Sequence, residues 1–243
     1  MEIRGKTALI TGGAKRVGRV IALELAKKGA HILLHYRGSE KEAKETASEI
    51  KALGVPCSLL QADLAKASDI AKMVAEIDKT AKKVDILVNS ASLYYKTPLE
   101  TVSEKDWDSF LDANLKGPAL LATEIGRRMA KKDGGKIVNI VDWSGFRPYK
   151  DFSAYCSSKG GLITLTKALA RDLAPKVRVN AVAPGPVLMP PDMSEQEKDA
   201  IAKTTALGRW GSPEDVAHAV TFLAENDFVN GIVLVVDGGR SIV

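Results

Sequence analysis

Short apolar runs alternate with longer helical segments along the whole 243-residue chain, and this alternation limits the choice of fold more than any other feature. Most of the runs lack polar alternation, as is typical of strands buried on both faces of a sheet. The predicted strands span residues 7–11, 30–36, 55–61, 84–89, 136–141, 177–182 and 232–236. The predicted helices span residues 16–28, 39–53, 67–82, 103–132 and 154–174, and a further helix opens at Ser212. The pattern predicts βαβ units and a parallel sheet with helices on both faces.

The chain forms one predicted domain over residues 1–243, because no linker, repeat or change of composition divides it. Its predicted class is α/β, with a doubly wound parallel sheet. The 35 Lys and Arg residues exceed the 30 Asp and Glu residues, so the net charge of +5 suggests an anionic partner. No aromatic-interleaved basic stripe is present, so we expect no nucleic acid partner.

The sequence carries no sign of export or of a membrane span. Its first residues lack an apolar segment of secretory length, and no run approaches the roughly 18 apolar residues of a membrane helix. The two cysteines, Cys57 and Cys156, are too few for a disulfide scaffold and lack the spacing of metal ligands. We therefore expect a cytoplasmic protein with no metal site and no membrane partner.

A glycine-rich turn, TGGAKRVG at residues 11–18, joins the first predicted strand to the first predicted helix. Glycines allow a tight turn and close approach of the backbone to a pyrophosphate, and the helix N-terminus offers free N–H groups. Such a motif alone is weak, but a strand before it and a helix after it favour a dinucleotide site. The predicted cofactor contacts here are Gly12, Lys15, Arg16, Val17 and Gly18.

The end of the second predicted strand distinguishes the two nicotinamide dinucleotides. A chain that binds NAD usually has an acid here for the ribose 2′-hydroxyl. No acid occurs between Gly29 and Glu40. The residues at the end of this strand include Tyr36, Arg37 and Ser39. Guanidinium groups pair well with phosphate oxygens, so this end favours the 2′-phosphate of NADP(H). The alternative is a surface arginine at a strand end.

Two further predicted strands end in polar or small residues at the edge where open α/β sheets bind ligands. Expected contacts to the cofactor at these ends are Asp63, Leu64, Asn89, Ser90 and Ala91. A helix cap is the alternative role for Asp63.

Tyr155 and Lys159 are four residues apart in a predicted helix, so their side chains share one face. A cation beside a phenol favours the phenolate and is expected to lower the tyrosine pKa from about 10. Such a phenol can exchange a proton with a carbonyl or an imine. The pair by itself is common on helices, but here it follows a predicted cofactor turn.

Taken together, these motifs resemble the short-chain dehydrogenase/reductase family over essentially the whole length. The matching segments also include Asn114, Pro184-Gly185 and the C-terminal residues 236–239. The resemblance implies a single Rossmann-like domain with a seven-stranded parallel sheet. Most members of the family are homotetramers or homodimers, and we expect a homotetramer. The resemblance also implies that Tyr155 is the general acid, that Lys159 holds the nicotinamide ribose and that Asn114 holds a water in a proton relay. Further cofactor positions are Pro184, Gly185 and Val187, although the threonine that usually follows them is missing.

Two departures from the family pattern resemble the pteridine reductases and dihydromonapterin reductases. Arg16 occupies the middle glycine position of the turn, and Asp142 stands thirteen residues before Tyr155, where the family has serine. Ser144 lies only eleven residues before it and is an imperfect substitute. In that subgroup an aromatic residue stacks on the pterin, and the matching position here is Tyr94.

The subgroup resemblance implies an NADPH-dependent reductase of a pterin or another planar heterocycle. Asp142 beside the phenol would support protonation of a ring nitrogen after hydride delivery. The expected substrate contacts are Arg16, Ser92, Tyr94, Asp142 and Tyr155. A lid over residues 184–206 would set specificity. The alternatives are a carbonyl reductase of 3-oxoacyl thioesters or small ketones, and a cofactor-binding sensor that has lost catalysis.

Overall fold

The computed structural model describes residues 1–81, 83–189 and 193–243, and within them a seven-stranded parallel sheet forms the centre. The strand order is β3-β2-β1-β4-β5-β6-β7, so the chain winds outward from β1 in both directions. The strands are β1 Thr7–Thr11, β2 His31–Tyr36, β3 Cys57–Gln61, β4 Ile86–Asn89, β5 Gly135–Ile140, β6 Val177–Pro184 and β7 Val233–Val236. This order confirms the predicted doubly wound α/β class.

Eight α-helices connect the described strands. They are α1 Arg16–Lys27, α2 Glu40–Ala52, α3 Ala67–Thr80, α4 Glu104–Leu111, α5 Gly117–Ala130, α6 Ser153–Asp172, α7 Glu195–Ala202 and α8 Pro213–Glu225. The predicted helix over 67–82 begins as expected and ends at Thr80, one residue early in its described part, and position 82 lies outside the described residues. None of the described helices is long and apolar enough to cross a membrane.

Each strand supplies apolar side chains to both faces of the sheet, as continuous apolar runs require. In β1, Ala8 and Ile10 pack into a core cluster that also contains residues of α1, α2 and α8. Leu9 belongs to a second cluster, on the other face, with residues of α3 and α5. The alternation follows from the two-residue period of a strand. Both faces of the sheet are therefore covered by helices.

The predicted helix over residues 103–132 is interrupted, and this is the largest difference from the expected elements. A π-helical turn, Asp112–Lys116, separates α4 from α5. The next residue is Gly117, where an added Cβ would lie 2.4 Å from the carbonyl oxygen of Leu64. Insertion of one extra residue in a helical turn is frequent at functional sites. Here it places Asn114, which is fully buried, between α4 and α5.

The predicted lid over residues 184–206 is described only in part, because positions 190–192 lie outside the described residues. Its described portion contains α7, which begins with a capping box between Ser194 and Glu197. No residue of α7 is buried. The helix therefore lies at the surface, in the segment that follows β6.

Candidate active site

The glycine-rich turn has the geometry that the sequence predicts. Gly12 has φ +65°, and a Cβ there would lie 2.9 Å from Cα of Ala91. A Cβ on Gly18 would lie 2.3 Å from the carbonyl oxygen of Gly12. These contacts leave no room for a side chain at either position, so the loop closes tightly over the N-terminus of α1. Lys15 and Arg16 are exposed beside it and Val17 is half-buried.

Arg16 stands in the left-handed region of backbone conformation, with φ +56°. This conformation is easy for glycine and unfavourable by about 1–2 kcal/mol for other residues. Glycine is therefore the residue that fits this position without strain. In this chain the backbone is strained here, and the position carries a guanidinium.

A histidine near the end of β2 is hydrogen-bonded to the glycine-rich turn. His35 accepts a hydrogen bond from the Gly12 N–H through Nδ1 (3.1 Å), and its main-chain oxygen accepts another from Gly13 (3.0 Å). Its Nε2 lies 3.1 Å from the carbonyl oxygen of Ala62. Burial lowers the pKa of His35, which keeps the imidazole neutral. This support of the turn by His35 was not predicted from the sequence.

The segment from the last residue of β2 to the start of α2 has side chains that a ligand can reach. Tyr36 is buried, while Arg37 is exposed and Ser39 is half-buried at the start of α2. Within the described residues, the Arg37 side chain makes no hydrogen bond or ion pair. No carboxylate of the sequence lies between positions 30 and 39 to occupy the place of an NAD-type acid.

The ends of β3 and β4 meet the turn at the same edge of the sheet. Asp63 accepts from the Ala65 N–H (3.1 Å) and so closes its own turn, but α3 begins later, after Lys66. Leu64 is buried. Helix capping by Asp63, the alternative from the sequence, is therefore not what the structure shows.

Thr11 connects β1 to the segment after β4. Its hydroxyl accepts from the main-chain N–H groups of Ser90 (2.9 Å) and Ala91 (3.1 Å). Asn89 donates to Asn139 through Nδ2 (2.9 Å), whereas its Oδ1 is buried and has no partner among the described residues. A buried acceptor without a donor is unfavourable, so this atom is suited to a donor from a ligand.

Tyr155, on α6, is hydrogen-bonded to the aspartate that replaces the family serine. Its hydroxyl donates to Oδ2 of Asp142 at 3.0 Å. Tyr149 donates to Oδ1 of the same carboxylate at 2.9 Å, and the Ser144 N–H donates to Oδ1 at 2.7 Å. The Ser144 hydroxyl is buried without a partner in the described chain. Asp142, and not Ser144, therefore occupies the position beside the tyrosine.

Burial is the largest cause of a strongly raised pKa at Tyr155, and the negative charge of Asp142 raises it further. The predicted lowering of this pKa by Lys159 is therefore wrong for the described site. The Lys159 ammonium lies 5.7 Å from the Tyr155 ring centroid and does not outweigh burial and the carboxylate. The phenol keeps its proton, which suits a proton donor.

Lys159 lies one helical turn after Tyr155 and is 3% exposed. Its Nζ donates to the carbonyl oxygen of Ile140, at the end of β5, at 3.0 Å. Burial lowers the pKa of Lys159 to about 8, and Asp142 opposes that shift. The ammonium has further donors, so it can also bind a hydroxyl at the edge of the sheet.

Asn114 is held by four hydrogen bonds. Its Nδ2 donates to the carbonyl oxygen of Leu93 (3.0 Å) and to Oγ of Ser158 (3.2 Å). Its Oδ1 accepts from the Leu93 N–H (2.8 Å) and the Ser92 hydroxyl (3.3 Å). The amide has no capacity left, so a water held by this residue would have to bind its main chain.

Tyr94 is an exposed aromatic residue that contacts Tyr155. Its ring stacks on Phe152 (centroids 4.9 Å apart, 18° between planes) and meets Tyr155 edge-on at 4.9 Å. With 54% of its surface exposed, Tyr94 has area left for a flat ligand. Ser92, also exposed, lies beside it and bonds to Asn114.

The end of β6 completes the edge. Pro184 is buried, and Gly185 donates to the Val236 carbonyl oxygen at 2.9 Å. A Cβ on Gly185 would lie 2.7 Å from Cα of Asp237, so a close approach to the segment after β7 requires glycine. Val187 is half-buried next to a cavity of about 330 Å³ that also contacts Gly238 and Asp215.

The structure thus brings the predicted residues of six strand ends to one edge of the sheet. It also shows supporting residues to which the sequence assigned no contact, namely Thr11, His35, Tyr149, Phe152 and Ser158. Thr11 begins the predicted turn motif and His35 lies in the second predicted strand, and these positions are the signals that could have found them. In the part of the chain that the structure describes, no three metal-binding side chains are grouped to hold an ion.

Comparisons with known proteins agree with this geometry. A family model described as enoyl-(acyl carrier protein) reductase matches residues 12–241. A 3-oxoacyl-(acyl-carrier-protein) reductase FabG of Staphylococcus epidermidis is 35% identical, over 96% of this chain and 98% of the relative. An NAD-dependent glycerol dehydrogenase of Listeria innocua is 35% identical, over 99% of this chain and 96% of the relative.

A solved dehydrogenase/reductase from Sinorhizobium meliloti 1021 has a TM-score of 0.92 and 35% identity, covering 98% of this chain and 97% of that one. The matches span nearly the whole chain and come from enzymes, which argues against a sensor that has lost catalysis. The protein is therefore an oxidoreductase and belongs to the short-chain dehydrogenase/reductase family.

Proposed function

We propose that this protein is an NADP(H)-dependent reductase in which Tyr155 donates a proton to the substrate. The observation that carries the proposal is the hydrogen bond of 3.0 Å from the buried Tyr155 hydroxyl to Asp142. Burial and the carboxylate raise the pKa of this phenol, so it enters the reaction protonated. A reduction needs such a donor, because hydride addition leaves negative charge on the acceptor atom.

The residues fit a nicotinamide dinucleotide with a 2′-phosphate. Gly12 and Gly18 leave the backbone open at the N-terminus of α1, where anions bind well. Arg37 offers an exposed guanidinium, and the buried Oδ1 of Asn89 offers an acceptor without a partner in the described chain. NADPH supplies the hydride when bound.

The remaining cofactor contacts that we propose lie around these residues. They are Lys15, Arg16, Val17, Tyr36, Ser39, Asp63, Leu64, Ser90, Ala91, Lys159, Pro184, Gly185 and Val187. Lys159 would hold the nicotinamide ribose through the donors that its bond to Ile140 leaves free. Its nearby positive charge would stabilise the phenolate of Tyr155 as the proton leaves. A water on the main chain of Asn114 would return a proton from solvent.

Asp142 favours a planar heterocycle as the substrate. Oδ1 already accepts from Ser144 and Tyr149, whereas Oδ2 accepts only from Tyr155 and keeps one lone pair. A ring N–H beside a C=N bond can donate to that lone pair, as a pterin does. A simple ketone presents only an acceptor oxygen, which the carboxylate would repel. Tyr94, Ser92 and Arg16 would contact the rest of the ring.

The relatives favour a different substrate class. A 35% identical relative is named a 3-oxoacyl-(acyl-carrier-protein) reductase, and none of the proteins compared above is named a pteridine reductase. A 3-oxoacyl thioester is therefore the second candidate, and the names support it better than they support the pterin. We place the heterocycle first because substrate choice depends on the residues of the site more than on the fold.

A direct assay separates the two classes. NADPH oxidation is measured with dihydrobiopterin, with dihydrofolate and with an acetoacetyl thioester, for the wild type and for Asp142→Ser. We expect turnover of the pterins by the wild type, and a shift towards the thioester in the variant. Turnover of the thioester alone by the wild type would overturn the pterin proposal. Tyr155→Phe should lower either activity by about 10²–10⁴-fold, as loss of a general acid does.

We also propose that the protein forms a homotetramer in which β7 and α8 make one of the interfaces. β7 is an edge strand of the sheet, and Val235, Ile232 and Phe222 expose 39%, 40% and 48% of their surfaces there. Exposed apolar residues on an edge strand favour pairing with another chain. Light scattering measures the assembly, and a monomeric or dimeric mass at micromolar concentration would exclude the tetramer.

A further inference from the structure

Arg240 lies over an aromatic ring next to the proposed active site. It begins the short turn Arg240–Ile242 after β7, and its Cζ is 4.6 Å from the ring centroid of Trp143. A guanidinium stacked on tryptophan is held by the ring's electron-rich face. The Arg240 side chain is only partly exposed, so contacts with neighbouring residues restrict its position.

The backbone at Arg240 is fixed as well. Asp237 accepts from the N–H groups of Gly239 (2.8 Å) and Ser241 (2.7 Å), one on each side of Arg240. Gly239 has φ +80°, and a Cβ there would lie 2.7 Å from Cβ of Ala206, at the end of the lid segment. The arginine is therefore presented from an ordered turn beside the lid.

The Arg240 guanidinium has no anionic partner in the described part of the chain. No ion pair or hydrogen bond of this side chain occurs there, although a guanidinium carries five N–H donors. The two nearby carboxylates are engaged elsewhere, Asp142 by tyrosine hydroxyls and Asp237 by main-chain N–H groups. Arg147, which follows the Trp143–Gly145 turn, donates to the main-chain oxygen of Val243.

The contacts lead from Arg240 to the reacting groups. Trp143 meets Tyr149 edge-on with centroids 5.1 Å apart, and Tyr149 shares the Asp142 carboxylate with Tyr155. Burial raises the pKa of both Tyr94 and Tyr149, Asp142 adds to that rise, and the charge of Arg240 opposes it. The charge of Arg240 therefore acts on two aromatic side chains that surround the proposed proton donor.

We propose that Arg240 is a specificity residue that binds an anionic group, a carboxylate or a phosphate, on the part of the substrate remote from the reacting bond. The inference rests on the proposed reductase function and deepens it, because it adds a negative charge to the substrate class. The planar fork of guanidinium matches both anions in bidentate geometry. The charge would lie outside the aromatic rings, where water still reaches it.

The test compares substrates that share one reacting ring and differ in charge. Dihydrofolate carries carboxylates on its tail, whereas dihydrobiopterin is uncharged. For the thioester candidate, acetoacetyl-CoA and the uncharged N-acetylcysteamine thioester of acetoacetate form the matching pair. Arg240→Gln should raise KM for the charged member about 10-fold or more and leave KM of the neutral member within about 2-fold. Arg240→Lys should recover part of the affinity, and Arg171→Gln, an exposed arginine on α6, serves as control.

A purely structural role for Arg240 predicts a different outcome. Equal increases of KM for charged and neutral members would mean that the arginine only clamps the turn, and this would overturn the inference, as would no change for either. Calorimetric binding of both members to wild type and Arg240→Gln, with NADP present, keeps the two proposals separate. If Arg240→Gln weakens binding of the charged member but no substrate is turned over, only the reductase proposal is rejected. If Arg240→Gln leaves the affinity for the charged member unchanged, the inference is rejected.

Discussion

Nδ1 of His35 accepts a hydrogen bond of 3.1 Å from the N–H of Gly12, so a side chain of β2 holds the turn that we propose binds the cofactor pyrophosphate. An accepting Nδ1 requires the neutral imidazole with its proton on Nε2, which lies 3.1 Å from the Ala62 carbonyl oxygen. Burial lowers the pKa of His35 and favours that same neutral form. The turn therefore depends on the ionisation of a residue that would not itself touch the cofactor.

Replacing His35 by phenylalanine should weaken NADPH binding. The variant leaves the Gly12 N–H without its acceptor, and an unpaired buried donor costs about 1–3 kcal/mol. His35→Asn supplies an oxygen of similar reach and should recover part of the affinity. The measurement is the NADPH dissociation constant from fluorescence titration. Equal affinity in wild type and His35→Phe would show that the turn holds its shape without the imidazole.

Acidification should reduce stability through the same residue. The folded-state pKa of His35 is below its ordinary value of 6.5, so its contribution is complete above pH 6.5 and is lost as pH falls towards the folded-state pKa. Urea unfolding of the wild type should show a fall in stability below pH 6.5 that His35→Asn lacks. His31→Asn, at the exposed start of the same strand, is the matched control and should keep the fall.

Gly12→Ala should destabilise the fold and weaken NADPH binding together. The new Cβ would lie 2.9 Å from Cα of Ala91, and φ +65° is unfavourable for alanine. Strain at such a position costs about 1–3 kcal/mol. Gly38→Ala is the control, since nothing lies within 4 Å of its added Cβ. Thermal unfolding and NADPH titration measure both effects, and similar behaviour of the two variants would contradict the close packing of the turn.

The fold could be predicted because each strand is a local apolar run, and period and turn residues are local properties. β1 begins and ends where the sequence predicts, whereas β2 and β4 begin one and two residues later than predicted. The break between α4 and α5 was not predictable in this way. It follows from the approach of Gly117 to the main chain of Leu64, which is a contact between distant segments.

The site could be predicted to the level of motifs, and its electrostatics could not. Spacing placed Tyr155 and Lys159 on one face, but the sequence does not show how deeply each is buried. Burial raises the pKa of Tyr155, against the lowering expected from Lys159 alone. Arg240 was invisible for a similar reason, since only the folded chain brings the segment after β7 onto Trp143.

Arg16→Gly should make the protein more stable and a poorer enzyme. Glycine relieves the strain at φ +56°, worth about 1–2 kcal/mol, and returns about 0.5–1 kcal/mol through a more flexible unfolded chain, for a small net gain. Loss of the guanidinium should raise KM for NADPH. Arg19→Gly, inside α1, should instead lose about 1 kcal/mol. Urea unfolding measures the change in free energy of unfolding for both variants, which should be opposite in sign. A loss of stability in Arg16→Gly would contradict the strain.

Lys159 should produce the alkaline limit of activity. Burial lowers its pKa to about 8 from 10.5, so the ammonium is charged below about pH 8 and neutral above it. kcat/KM should therefore fall as pH rises through that value, because kcat/KM for the substrate follows the ionisation of the enzyme before the substrate binds. The folded state releases this proton more readily than the unfolded chain, so folding becomes more favourable between pH 8 and 10.5 and the loss of activity is not unfolding.

Lys159→Arg tests the assignment, because a guanidinium stays charged throughout this range. The variant should be slower at neutral pH, as the larger group displaces the proposed ribose contact, but its activity should no longer decline around pH 8. Lys167→Arg, on an exposed face of the same helix, should keep both the rate and the decline of the wild type. The measurement is kcat/KM against pH with NADPH saturating. A decline that persists unchanged in Lys159→Arg would assign the alkaline limit to another group.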